Sequence, residues 1–211
     1  FLRSAGADEQ GGSPWTLLSG MPDDGHLIAL DRLARTLHLL NALVAGHTLP
    51  LFLNVHGRLL AAVGDDHGRA FRRVVDALGV SPASIVIETP VEASAQPDLL
   101  TFVLRNYRAN GFRVAVNHDS LAQWQAISSH AWPDFVKIDS RKLGSGSPAR
   151  EALEWLTALR GDATPILTHV EDASPDYRHL AAGNPLWLQG YAYGHPEAAE
   201  VARPTPVATA D

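Results

Sequence analysis

Short apolar runs alternate with helical segments along most of this chain, and each run gives way to a polar residue at its C-terminal end. Leu51-Phe52-Leu53 ends in Asn54, Ile85-Val86-Ile87 in Glu88, and the run from Phe112 to Val116 in Asn117. Phe135-Val136 meets Lys137, Pro165-Ile166-Leu167 meets Thr168, and Leu186-Trp187-Leu188 meets Gln189. Strands that are apolar throughout are buried on both faces, the condition of a parallel sheet covered by helices. In such folds a ligand lies where the C-terminal strand ends converge. One polar strand end says little, whereas a polar group at every end predicts a barrel mouth. The fold expected is α/β, a TIM-like barrel whose first strand or strands are truncated in this chain. An open doubly wound sheet is the alternative, but no Gly-x-Gly-x-x-Gly turn follows any strand.

The helices are read from their spacing. Leu30, Leu33, Leu37, Leu40 and Val44 recur at helical intervals, with Gly46 placed to close the helix. A second helix runs from about Gly68 to Leu78, with Phe71, Val74, Val75 and Leu78 inward and Gly79 as its stop. A third, from about Pro97 to Asn110, has proline in its first turn and Gly111 at its end. Shorter helices are expected at Leu121 to Ser128, Ala149 to Arg160 and Ser174 to Ala182. Residues 4 to 25, rich in Gly, Ser, Pro and Asp, form a long connection. The domain expected covers residues 1–200, followed by a tail at 201–211. Phe1-Leu2-Arg3 reads as the end of a strand that begins upstream.

Several function classes fall away on composition. A chain of 211 residues, 45% hydrophobic, can bury one sizeable core. Its net charge of −6 and the lack of a long basic block argue against a nonspecific grip on nucleic acid. It has no cysteine, hence neither a disulfide framework nor a thiolate metal site. No apolar run is long enough to span a bilayer and no signal-peptide pattern opens the chain, so a cytoplasmic location is expected. Its ten histidines are scattered without ligand spacing. Neither a Gly-x-Ser-x-Gly elbow nor a P-loop is found.

Lys137, in Phe135-Val136-Lys137-Ile138-Asp139, is the residue that asks for an explanation. A cation in a strand buried on both faces is costly unless the strand's end opens into a polar site. The plainer alternative is a stem laid along the sheet with its ammonium in water.

Taken in order, Leu53-Asn54-Val55, Ile87-Glu88-Thr89, Val114 to Asp119, Val136 to Asp139, Val170-Glu171 and Gln189-Gly190-Tyr191 with Pro196 resemble the EAL domain family. Members are TIM-like barrels that hydrolyse the bacterial second messenger cyclic di-GMP to a linear dinucleotide. The resemblance spans nearly the whole chain. It implies a site in which carboxylates hold two divalent cations that activate a water. Here the asparagine slot is Asn54, the second glutamate Glu88 and the lysine Lys137. The aspartate pair reads Asn117-His118, a further glutamate reads Thr168, and the signature glutamate would lie upstream of Phe1. Divalent magnesium needs anionic oxygens, and Asn117 and Thr168 offer neutral ones. The resemblance therefore implies a remnant active site, with no metal and no catalytic residue.

What the resemblance keeps is a nucleotide cradle. Arg3 matches a phosphate-gripping arginine and is suited to bidentate contact. Phe1 offers a face for a guanine to stack on, with a core role as its alternative, and Leu2 lies between them. Asp31 and Glu171 match carboxylates that accept from a guanine edge. Gln189, Gly190 and Pro196 match the pocket-lining segment. Lost metal ligands beside a retained Glu171 resemble a subset, the degenerate FimX-type receptors of cyclic di-GMP in type IV pilus and twitching-motility control. That likeness implies a PilZ-type partner and upstream GGDEF, PAS or receiver domains. The other readings are an active phosphodiesterase with variant metal ligands and a scaffold that binds no nucleotide.

Overall fold

The computed structural model describes residues 17–18, 20–47, 50–62, 66, 68–118, 120, 122–124, 132–143, 154–155, 163–172, 177 and 185–195. Six strands form one sheet in sequence order, every neighbouring pair parallel. They are β1 (Leu51–Asn54), β2 (Ile85–Thr89), β3 (Arg113–His118), β4 (Phe135–Asp139), β5 (Thr164–Thr168) and β6 (Trp187–Leu188). Parallel neighbours need crossovers, and crossovers of one hand put their helices on one face of the sheet. The helices are α1 (Asp24–Val44), α2 (Gly57–Ala62), α3 (Arg69–Ala77) and α4 (Pro97–Ala109).

The sheet curls. β1 and β6 are its two edges, which a flat sheet would hold about 24 Å apart at strand spacing. Yet the Phe52 ring of β1 lies 6.3 Å from the Trp187 ring of β6. This is the half-barrel form of a TIM-like barrel. Its faces separate by pleat. On the helix side, Leu53, Ile85, Ile87, Val114, Val116, Val136, Ile138 and Leu167 join the main core. On the concave side, Val86, Ala115, Phe135 and Ile166 pack with Phe52 into a smaller apolar plug. Arg113 closes the plug at its N-terminal end, its guanidinium 4.5 Å from the Phe135 ring centre.

α1 departs from the simplest reading of its sequence. The stripe that reveals the helix is not the face it buries. Leu27, Asp31, Ala34, Arg35, Leu39 and Ala42 face inward, whereas Leu33, Leu37, Leu40 and Val44 are exposed. An ion pair explains the inward face. Asp31 and Arg35, four residues apart, pair with each other, and both are 3% exposed. The Arg35 guanidinium lies 4.9 Å from the centre of the Phe71 ring in α3. Tyr107 of α4 belongs to the same cluster, and burial pushes its hydroxyl up despite the nearby Arg35. Asp23 caps the start of α1, accepting from the His26 N–H at 2.9 Å. Gly46, at φ 65°, turns the chain out of the helix.

The six expected strands and the helices expected at 68–78 and 97–110 are present within a residue or two, while most of the expected connection at 4–25 lies outside the described residues. Leu78 follows α3 as its cap and is 36% exposed, so it is not part of the inward face. Phe112 precedes β3, with its ring stacked 5.7 Å from that of Phe71. Of the three shorter helices, helical residues appear at 122–124, 154–155 and 177. The expected tail at 201–211 lies outside the described residues. No described helix is long and apolar enough to cross a membrane.

Removing one member of the α1 ion pair strands a buried charge. Arg35→Ala is expected to cost about 3–5 kcal/mol in urea unfolding. Replacing Asp31 and Arg35 together with apolar residues of similar size should cost much less, and a double-mutant cycle measures the difference.

Candidate functional site

The pleat builds the mouth from the plug. Two positions beyond each concave apolar residue stands a polar one: Phe52 leads to Asn54, Val86 to Glu88, Ala115 to Asn117, Phe135 to Lys137, Ile166 to Thr168 and Trp187 to Gln189. Parallel register sets Asn54 beside Glu88, and Asn117 beside Lys137. The polar ends thus form one layer above an apolar floor.

Glu88 is the centre of that layer. Lys137 Nζ donates to Glu88 Oε2 at 2.8 Å. Asn117 Nδ2 donates to Glu88 Oε1 at 3.1 Å and to the Thr89 carbonyl at 2.7 Å. Both carboxylate oxygens are therefore engaged, one from β3 and one from β4. The side chains of Lys137 and Glu88 are 8% and 12% exposed, so this is a buried pair and not a lysine reaching water. The Lys137 ammonium also lies 6.0 Å from the Phe52 ring centre, across the concave face. Thr168 Oγ1 donates to the Ile138 carbonyl at 3.3 Å, and Asn54 is exposed at the edge of the sheet.

His118 does not join them. It is one residue past Asn117, so its side chain points to the helix side, where it is 2% exposed. Its ring lies 6.0 Å from Trp124 and 6.3 Å from Trp155, stacked on the latter, and its Nδ1 is 3.2 Å from Ser94 Oγ. Ser94 Oγ also donates to the Asn117 carbonyl at 2.8 Å. His118 thus supports the strand from behind.

The rim above Lys137 was less visible in the sequence. Asp139 caps the turn that follows β4, accepting from the Arg141 N–H at 3.0 Å. The Arg141 guanidinium grips the same carboxylate through Nε at 3.0 Å and Nη2 at 2.7 Å. That grip holds the Asp139 carboxyl below its ordinary value, with partial burial opposing and the Arg141 amide and His169 assisting. His169 stands in the left-handed region at φ 57°, its Nδ1 3.3 Å from Asp139 and 3.2 Å from Thr168 Oγ1. A histidine at positive φ after a strand is uncommon, and no residue pattern announced it.

Glu171 is exposed beside this rim, and its charge acts with that of Asp139 to favour the Arg141 cation. Gln189 is tied by its backbone: its N–H donates to the Leu167 carbonyl at 2.8 Å and its carbonyl accepts from Val170 N–H at 3.1 Å. Gly190 is required by close approach, since a Cβ there would collide with the Val170 backbone. Asp31 lies on the inner face of α1 with Arg35, apart from the polar layer of the strand ends. Its charge reaches His56, just beyond β1, where burial nevertheless keeps the imidazole below its ordinary value. Phe1, Leu2, Arg3 and Pro196 lie outside the described residues.

Among the described residues, the donors of this layer are a poor fit to a divalent cation. Glu88 is the carboxylate they supply to it, and a lysine ammonium and an asparagine amide already occupy its oxygens. Asn54, Asn117 and Thr168 offer neutral oxygens, and Lys137 adds a positive charge where a cation would sit.

The Asp139 grip has a pH signature. Because its carboxyl is held below the ordinary 3.8, its contribution to stability is complete above that value and is lost as pH falls through the lower folded value. Asp139→Asn should therefore lower stability at neutral pH and flatten the acid limb of the stability curve. Urea unfolding between about pH 2 and pH 6 reads both effects.

No family model and no curated protein matches the chain. Solved structures do. The EAL domain of FimX from Pseudomonas aeruginosa, bound to cyclic di-GMP, superposes with a TM-score of 0.74 at 20% identity, covering 93% of this chain and 82% of that one. BlrP1 of Klebsiella pneumoniae, in a manganese and cyclic di-GMP complex, gives 0.68 at 18% identity over 88% of this chain and 49% of that one. The Bacillus subtilis YkuI protein, with an EAL domain and in complex with cyclic di-GMP and calcium, gives 0.67 at 22% identity over 93% and 50%. The chain thus spans about half the length of BlrP1 and YkuI. The fold of this chain, a curled parallel sheet with a polar layer at its C-terminal strand ends, is that of the EAL domains.

Proposed function

We propose that this chain binds cyclic di-GMP at the mouth of its half-barrel and does not cleave it. One observation carries the reading: the Glu88 carboxylate is spent inside the protein, on Lys137 and Asn117. In-line attack on a phosphodiester needs an activated water and neutralised charge, which metal ions supply in two-metal sites. The layer here has lost the anionic ligands for them. What it keeps suits recognition. The mouth offers amides and a hydroxyl over an aromatic floor of Phe52, Phe135 and Trp187. Glu171 supplies an exposed carboxylate with the two acceptors a guanine edge requires. Arg3 is the proposed phosphate contact, with Phe1, Leu2, Gln189, Gly190 and Pro196 around the nucleotide, while Asp31, buried against Arg35, is not available to a guanine edge.

The finer assignment follows the FimX likeness. As a receptor in type IV pilus control, the domain would pass nucleotide occupancy to a PilZ-type protein from the cytoplasm, under upstream GGDEF, PAS or receiver domains. The remnant layer of Asn54, Glu88, Asn117, Lys137 and Thr168 then serves as a rigid wall.

Calorimetry with cyclic di-GMP in EDTA tests the receptor reading. Binding at about micromolar affinity is expected without metal, and the absence of heat at that ligand level would sink it. Incubation with magnesium or manganese, followed by chromatography, should return the cyclic dinucleotide unchanged; a linear product would establish the phosphodiesterase instead. Removing both charges of the wall together, in Lys137→Met/Glu88→Gln, should keep affinity within about threefold, below about 1 kcal/mol. A collapse in affinity would show that Lys137 or Glu88 holds the ligand.

A further inference from the structure

β5 ends at Thr168, and the pleat would send residue 169 to the helix side, as it sends His118 after Asn117. His169 does not go there. Its backbone stands at φ 57°, and among the described residues it is the one non-glycine in the left-handed region. The ring is thereby brought over the mouth, with Nδ1 3.2 Å from Thr168 Oγ1 and 3.3 Å from Asp139 Oδ1. Both partners stand on the concave side. Thr168 is two positions beyond Ile166, Asp139 is four beyond Phe135, and the two are level in the sheet register. Ser140 Oγ fixes the turn by donating to the His169 carbonyl at 2.9 Å. Backbone strain of this kind collects at ligand sites.

The hydrogen bonds assign the tautomer of the ring. Thr168 gives its own hydrogen to the Ile138 carbonyl, and Asp139, gripped by Arg141, is a carboxylate with none to give. Both can only accept from the ring, so Nδ1 carries the hydrogen. The neutral imidazole then keeps its lone pair on Nε2. The side chain is 46% exposed, and among the described residues no group pairs with that nitrogen.

We infer that His169 Nε2 accepts from a ribose 2′-hydroxyl of the bound cyclic dinucleotide, with Asp139 and Thr168 holding the ring by its Nδ1–H. This sugar contact rests on the nucleotide reading and adds a specificity to it. The phosphates of the ligand only accept, and their charge is repelled by a lone pair backed by the Asp139 carboxylate. A guanine edge presents two parallel N–H donors. They match the two oxygens of a carboxylate such as Glu171 and not a single ring nitrogen. The hydroxyl is the donor that remains, and it is the group that tells a ribonucleotide from its deoxy counterpart.

Calorimetry in EDTA tests it, with cyclic di-GMP and with its analogue lacking both 2′-hydroxyls, on wild type, His169→Gly and His169→Asn. Glycine and asparagine both tolerate the left-handed backbone, so the turn is kept. Wild type should bind the ribose form about three- to tenfold tighter, the range of one hydrogen bond. In both variants that ratio should fall to about one, with affinity for the deoxy analogue within about twofold of wild type. A wild type that binds both ligands equally overturns the sugar contact and leaves the receptor reading standing. No heat with either ligand overturns the receptor reading, and the sugar contact with it. A ratio that persists in the variants, or a loss shared equally by both ligands, shows that His169 serves the turn and not the sugar, and overturns the contact as well.

Discussion

Everything distinctive about the mouth of this half-barrel depends on one buried ion pair, between Lys137 on β4 and Glu88 on β2. The two strands are not neighbours; β3 lies between them and contributes Asn117 to the same carboxylate. Three strand ends are therefore tied at one point. A buried pair of this kind adds little net stability over apolar packing, but the loss of either partner leaves an expensive charge. It fixes the register of the wall and sets its charge: one anion, balanced on the spot by a tethered cation. On the proposed reading, a site balanced in this way has no call for an external dication, and the same pair shapes the rigid wall.

The mouth was legible in the sequence because the pleat of a strand is strict. A polar residue closing an apolar run must land on one face or the other, and six runs with the same ending converge on one layer. The same strictness explains His118. Adjacent to Asn117, it belongs to the opposite face, and a one-residue reading of the Asn117-His118 pair could not part them without the pleat. The rim was harder to see, since Arg141 and His169 act through local turns and a positive φ, which leave no periodic trace.

α1 shows the limit of periodicity from the other side. Its leucines announce a helix without saying which face is inward. The buried face is written in Asp31 and Arg35, an i to i+4 pair that would be ordinary on a surface. Burial becomes tolerable only because Phe71 and Tyr107, from α3 and α4, complete the cluster. Those contacts are far apart in the chain and could not be read from α1 alone. With the polar face turned in, the leucines are left on the outer face of the helix.

On the proposed reading the internal cation outranks any external one, and this can be read directly from the free ion. Manganese gives a strong paramagnetic resonance signal in water that is lost on binding to protein. With the wild-type chain in EDTA-free buffer, the account predicts that the free-manganese signal stays undiminished as protein is added, with or without cyclic di-GMP. Stoichiometric loss of that signal would mean that the Lys137–Glu88 pair opens to admit a metal, and would contradict it.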